Sequence, residues 1–220
     1  MAAPAEKTVL DLNGNWIMNA KLSDSSDAVL KAQGVNWLMR KVITMATVTL
    51  IVTQTKDASG NILLDIENKP SGGMPGAVEK RVLNWEPVEL NHTLFGNIRG
   101  RSRVAKLADL EDEWLKGGWE EGTEEVLHFK TEHIDSKGVV TQQVLGFVKV
   151  EGVRYQARRV LVTTEGSDKN VEISIVYDYL GSGEVSHLTN PVFFLVALLF
   201  TAYSSTAANA LTITSQEINA

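Results

Sequence analysis

The side chains best suited to chemistry stand on two strand-like segments late in the chain. In Val171-Glu172-Ile173-Ser174-Ile175-Val176-Tyr177-Asp178-Tyr179, the residues Val171, Ile173, Ile175, Tyr177 and Tyr179 share one face. That apolar face is expected to point inward, and a tyrosine hydroxyl carried into an apolar interior needs a hydrogen-bond partner or a ligand. In Val153-Arg154-Tyr155-Gln156-Ala157-Arg158-Arg159-Val160, Tyr155 and Arg159 fall on one face, and Arg154 and Arg158 on the other. Neither face is clean, so the register stays open. An inward guanidinium there calls for an anionic or carbonyl partner, either a ligand or a carboxylate such as Glu89 or Asp65. Tyr177, Tyr155 and Arg159 are the candidate catalytic donors. His92 is the candidate proton shuttle, because an unperturbed imidazole titrates near neutrality. Arg99, Arg101 and Arg103 also alternate, on a face expected to meet solvent.

Other chemistries lack their residues. No glycine-rich phosphate loop precedes a helix, and no Gly-x-Ser-x-Gly elbow is present. The four histidines, His92, His128, His133 and His187, show no ligand-like pairing, so no metal is expected. Any reaction is expected to run without a cofactor, by positioning and hydrogen bonding. A net charge of -6 argues against a nucleic-acid partner. The chain has no cysteine, and Met1 to Lys7 contains no apolar run of a signal peptide, so a cytoplasmic location is expected. Asn91-His92-Thr93 reads as a chance glycosylation sequon.

The elements that must position these side chains are mostly strands. Residues 8–20 read as a strand interrupted by a bend at Asn13-Gly14-Asn15. Ser23-Asp24-Ser25-Ser26-Asp27 then offers N-cap residues for a short helix at 28–32, which Gly34 ends. Val35, Leu38, Met39 and Val42 space a second helix to Met45. Candidate strands follow at 46–55, 62–66, 79–85, 88–95, 97–107, 123–133, 139–150, 152–164 and 169–180. About ten strands with hairpin-length links make an all-β, up-and-down antiparallel meander, and closing it into a barrel removes the exposed edges. Asp109 to Gly122 is the one long acidic break and reads as a solvated loop.

The first quarter resembles the intracellular fatty-acid-binding proteins, calycins related to the lipocalins. The residues that carry the resemblance are the Gly14-Asn15-Trp16 strand opening and the helix–turn–helix Leu30-Lys31-Ala32-Gln33-Gly34-Val35-Asn36-Trp37-Leu38-Met39-Arg40-Lys41-Val42. Residues 34–42 nearly match that family's Gly-Val-Gly-Phe-x-x-Arg-Lys-Val motif, over a region of resemblance spanning residues 10–66. The resemblance implies a ten-stranded barrel capped by the two helices as a portal, with an apolar ligand inside. It places Trp37, Leu38 and Arg40 at the portal, and Leu50, Trp85, Phe147 and Tyr179 are the further candidate ligand contacts. The family's Arg-x-Tyr grip on a fatty-acid carboxylate is missing from the last strands, which sets this chain apart from plain fatty-acid carriers.

Residues 1–180 are thus expected to form the barrel, with its lid at 25–45, and 181–220 a C-terminal extension. Leu188 to Ser215 lacks charged residues, and its apolar centre, Val192 to Tyr203, is too short for the ~20 residues a membrane helix needs. A helix packed on the barrel is expected there, with membrane contact the other reading. The partner is a hydrophobic small molecule, terpene-, polyketide- or lipid-like. The barrel either converts it, as calycin-like cyclases of the pericyclase and hetero-Diels–Alder kind do in natural-product pathways, or carries it without conversion. A tail-anchored, membrane-associated protein is a further alternative. Composition leaves the oligomeric state open.

Overall fold

In the computed structural model, which describes residues 1–71, 76–136 and 138–183, the chain lays down ten antiparallel strands in one sheet. They are β1 (Gly14–Met18), β2 (Val48–Lys56), β3 (Ile62–Pro70), β4 (Ala77–Val82), β5 (Val88–His92), β6 (Gly96–Lys106), β7 (Glu125–His133), β8 (Val139–Val150), β9 (Val153–Thr164) and β10 (Val171–Gly181). Neighbours in sequence pair in the sheet, except that β4 and β5 are its two unpaired ends, and β1 also pairs with β10, joining the first strand to the last. The sheet curls until β4 and β6 meet. Asn84 bridges Arg103, the Trp85 amide donates to the Ser102 carbonyl at 2.8 Å, and Arg81 Nη1 donates to Ser102 Oγ at 3.1 Å.

Helices α1 (Asp27–Ala32) and α2 (Trp37–Met45) follow β1 and sit over one end. Gly34, at φ +83°, turns the chain between them, a conformation that costs a residue with a Cβ but not glycine. Asn36 caps α2, its side chain accepting from the Met39 amide at 3.0 Å, so the helix starts two residues later than its apolar spacing predicts. Leu30, Val35, Ile43 and Ala46 pack with Leu94 and Phe95 of the β5–β6 turn and close that end.

The opposite end is closed by the N-terminal segment. The spacing predicts a strand from residue 8, but β1 begins at Gly14. Polar side chains intervene: Gln54 accepts from the Leu12 amide and donates to the Val9 carbonyl, and Asn13 bonds both Asp11 and the Gln54 backbone. Residues 1–13 become a plug, with Ala3, Val9 and Leu12 in the main core. The bend expected near Gly14 is a register shift between Asn15 and Trp16. Trp16 is fully buried and donates from its indole to the Leu12 carbonyl at 2.9 Å. Burying each such large apolar side chain contributes roughly 1.5–3 kcal/mol.

The segment expected as a solvated loop, 109–122, is instead a strap on the outer wall. A short helix α3 (Glu113–Lys116), capped by Asp112, presents Leu115 and the flanking Trp114 and Trp119 to Ala105, Val126, Val144 and Leu161. This second core covers both β7 and β8 from outside, which is why neither strand shows clean alternation. The expected extension at 181–220 lies, from residue 184 onward, outside the described residues, as does the helix anticipated there. No helix among the described residues is long and apolar enough to cross a membrane.

Candidate functional site

The inner wall divides by polarity. Leu50 and Val52 on β2, Leu64 and Ile66 on β3, Trp16 on β1, and Ile173 and Ile175 on β10 make one apolar side. On β6 to β9 the inner face carries Ser102, Thr131, His133, Thr141, Gln143, Gln156 and Arg158 among apolar residues. Among the described residues, the buried ions on this inner face are Arg158, Arg81 and Glu79.

Glu79 and Arg81, two residues apart on β4, point the same way and form a buried ion pair. Arg81 Nη2 and Nε meet Glu79 Oε2 at 2.7 and 3.0 Å. Asn68 Nδ2 donates to Glu79 Oε1 at 3.1 Å, and the Arg81 guanidinium lies 4.5 Å over the Phe129 ring. Arg158 is fully buried on β9, with Nη1 donating to Gln143 Oε1 at 3.2 Å. Tyr177 is its diagonal neighbour on β10, since Arg158 pairs with Ile175 and Gln156 with Tyr177. Tyr177 is also fully buried, and among the described residues its hydroxyl has no hydrogen-bond partner. Burial pushes the phenol pKa above its ordinary value; the Arg158 charge opposes this and the Glu79 carboxylate adds to it. The hydroxyl is therefore held as a neutral donor, an O–H aimed into a low-dielectric interior beside a guanidinium.

Toward the lid the polar column continues. Gln33, at the end of α1, donates to Thr141 Oγ1 at 2.9 Å, and His133 Nε2 lies 3.3 Å from the same oxygen. At the plugged end, Trp16, Tyr179 and Phe147 form an aromatic floor, with ring centroids 4.7 and 6.3 Å apart. Arg154 lies over Phe147 and ties the floor to Glu120 and to the Pro4 and Lys7 carbonyls. Gly14 is required there, because a Cβ on it would stand 2.6 Å from the Tyr179 ring.

The residues singled out from sequence are dispersed among several places. Tyr177, Leu50, Phe147 and Tyr179 sit on the inner wall or its floor. His92 lies beneath the lid, its Nδ1 accepting from the Leu94 amide at 3.1 Å and its ring stacked on Phe95. Arg159 is on the outer face, stacked on Trp114 and Trp119 and bonded to the Trp114 carbonyl. Tyr155 shares that outer parity. Trp85 also lies outside, under Arg103 at 4.2 Å and against His128. Trp37 and Leu38 are exposed on α2, and Arg40 turns back onto Asp27 and the Val35 carbonyl. The interior arginine is Arg158 rather than Arg159. Glu79 and Arg81 escape sequence reasoning because Val78-Glu79-Lys80-Arg81 puts charge on both faces of β4, whereas only one face is buried.

No family model matches the chain. It is 40% identical over 183 residues to the probable pericyclase scpY of Mollisia scopiformis, covering 82% of this chain and 95% of that protein. It is 35% identical over 184 residues to the pericyclase pydY of Acremonium sp, covering 82% of this chain and 98% of that one. Among solved structures, a fatty-acid-binding protein of Schistosoma mansoni in complex with arachidonic acid aligns with a TM-score of 0.48 at 15% identity, over 79% of this chain and 99% of that chain. Fatty-acid-binding protein 1 of Echinococcus granulosus aligns with a TM-score of 0.47 at 18% identity, over 77% and 98%. With two relatives at these identities matched over 82% of its length, the chain belongs to the family of the pericyclases scpY and pydY.

Proposed function

We propose that this protein is a cofactor-independent pericyclase that folds an apolar, polyene-bearing substrate inside its barrel. In a cycloaddition of the [4+2] type, two σ bonds form at the expense of two π bonds. No atom leaves and no net proton moves, so the protein needs to supply only shape and polarisation. Holding diene and dienophile in a reactive pose removes much of the entropic barrier. A hydrogen bond to a carbonyl conjugated with the dienophile draws electron density toward oxygen and lowers the barrier further. The apolar wall of β1–β3 and β10 suits the hydrocarbon, and the polar side of the interior suits a carbonyl-bearing head. The observation that carries this reading is the fully buried Tyr177 hydroxyl, without a partner among the described residues, beside Arg158. In this reading Tyr177 donates to the substrate carbonyl, Arg158 supplies positive potential behind it, and the Glu79–Arg81 pair fixes the facing wall.

The test compares wild type with Tyr177→Phe in the cyclisation of a linear polyene bearing a conjugated carbonyl. The variant is expected to lose roughly 100-fold in rate, the lower end of the ~100- to 1,000-fold scale for removing one preorganised donor. It is expected to unfold no more easily than wild type, since the hydroxyl it loses has no partner among the described residues. Unchanged rate and stereochemical outcome in Tyr177→Phe would remove Tyr177 from the mechanism. Binding without any acceleration by wild type would make the protein a carrier.

A further inference from the structure

Among the described residues the wall of the barrel is incomplete at two places, between the unpaired end strands β4 and β5 and at the lid end of β1. β1 pairs with β2 only as far as Ile17 and Thr49, and with β10 only as far as Met18 and Tyr177. Beyond these pairs, toward the lid, β2 and β10 diverge. Residues 19–24 take the position of a strand beside β10 but bind it through side chains as much as backbone. The Asn19 and Asp24 amides donate to the Val176 and Ser174 carbonyls, the Asp24 carboxylate accepts from the Ser174 amide, and Ser23 Oγ accepts from the Val176 amide. The serine-rich run that reads as an N-cap therefore serves another purpose as well: the N-cap residue Ser26 makes no side-chain cap, Ser25 Oγ accepts from the Asp27 amide at 3.3 Å, and Ser23 and Asp24 line the seam.

A pocket of about 240 Å³ occupies this seam. Its floor is Met18, Val48 and Ile175, of which Val48 and Ile175 belong to the main core and Met18 packs against it. Its rim is polar, with Ser25 and Thr44 on opposite sides. Met18 is the register partner of Tyr177, so the floor adjoins the proposed donor. The volume falls below the ~300–1,000 Å³ of pockets that hold a whole small molecule. It fits one apolar segment of a longer molecule whose remainder reaches inward.

We infer that this seam is the door through which the hydrocarbon end of the substrate reaches the interior. The inference rests on the proposed interior site. The route runs between the 19–26 segment and the C-terminal half of α2, rather than along the barrel axis past the β5–β6 turn. Its ligand is an uncharged hydrocarbon chain, such as the polyene arm of a cyclisation precursor.

The test is the stopped-flow association rate of N-phenyl-1-naphthylamine, an uncharged apolar fluorophore, with the full chain. Ser25→Trp and Thr44→Trp each place a bulky ring on the rim at an exposed backbone position, and each is expected to slow association at least ten-fold. A door slows departure equally, so Kd should move less than three-fold. Leu94→Trp, which narrows the axial mouth, should change the rate less than two-fold. Unchanged rates in both rim variants, or slowing confined to Leu94→Trp, would overturn the door. The measurement reads admission and not turnover, so a wild type that admits the probe through the seam but cyclises nothing would overturn only the proposed reaction. No saturable binding of the probe by wild type would overturn both.

Discussion

At the scale of the residue, two kinds of buried polar group are at work and they respond differently to mutation. Tyr177 holds a hydroxyl without a partner among the described residues, whereas Glu79 and Arg81 satisfy one another. Breaking a buried pair leaves the surviving ion without its counter-charge. Glu79→Gln and Arg81→Met are each expected to cost about 3–5 kcal/mol in urea unfolding, and the double variant less than their sum. Additive costs would show that the pair does not act as a unit. His128 provides a pH signature. Buried on the outer face between Arg103 and Gln142, it titrates at about 4 against an ordinary 6.5, because burial disfavours the imidazolium and the Arg103 and Lys130 charges add to that. His133 is shifted down by burial as well. The unfolded chain therefore binds protons that the folded chain refuses. The stability this neutral His128 contributes is complete above pH 6.5 and declines as pH falls toward 4, by up to about 3 kcal/mol. His128→Gln should flatten that decline in pH-dependent urea midpoints; an unchanged slope would place the acid sensitivity elsewhere.

At the scale of the element, the legible parts were those in which one period dominates. β10 alternates except at Val176, which is buried as well, so the inner face of Ile173, Ile175 and Tyr177 was readable in the sequence. The hairpin rhythm and the Gly34 turn were readable for the same reason. β9 was not, because it is buried on both sides. Arg158 faces the interior while Arg159 is sandwiched by the strap's tryptophans, and adjacent arginines in a strand with two buried faces give no sign of which is inside. The strap itself looked like solvated loop because its acidic residues outnumber the four that anchor it, Leu110, Trp114, Leu115 and Trp119. Likewise, the N-terminal residues 8–12 carry strand-forming types, but side-chain bonds from Gln54 and Asp11 divert them into the plug. Where side chains compete with the backbone for its own hydrogen bonds, periodicity misplaces the element.

At the scale of the molecule, the architecture separates tasks. The lid closes one end, the N-terminal plug and the Arg154–Phe147 floor close the other, and the strap stiffens the outer wall. Between these devices the inner wall holds buried polar groups in hydrogen bonds and one ion pair, a low-dielectric setting in which a single hydrogen bond has most effect on a reaction barrier. The devices also set the seam between β2 and β10 apart as the stretch of wall held by serine and aspartate side chains beside a ladder that has ended. The central claim is that an apolar guest resides within the barrel against β9 and β10. The direct measurement is photo-crosslinking with an apolar, diazirine-bearing hydrocarbon chain, followed by peptide mapping of the adducts. The account expects labelling at alternate, inner-face positions such as Val160, Ile175 and Tyr177. Adducts confined to Trp37 and Leu38 on the lid surface, or to the strap, would contradict it.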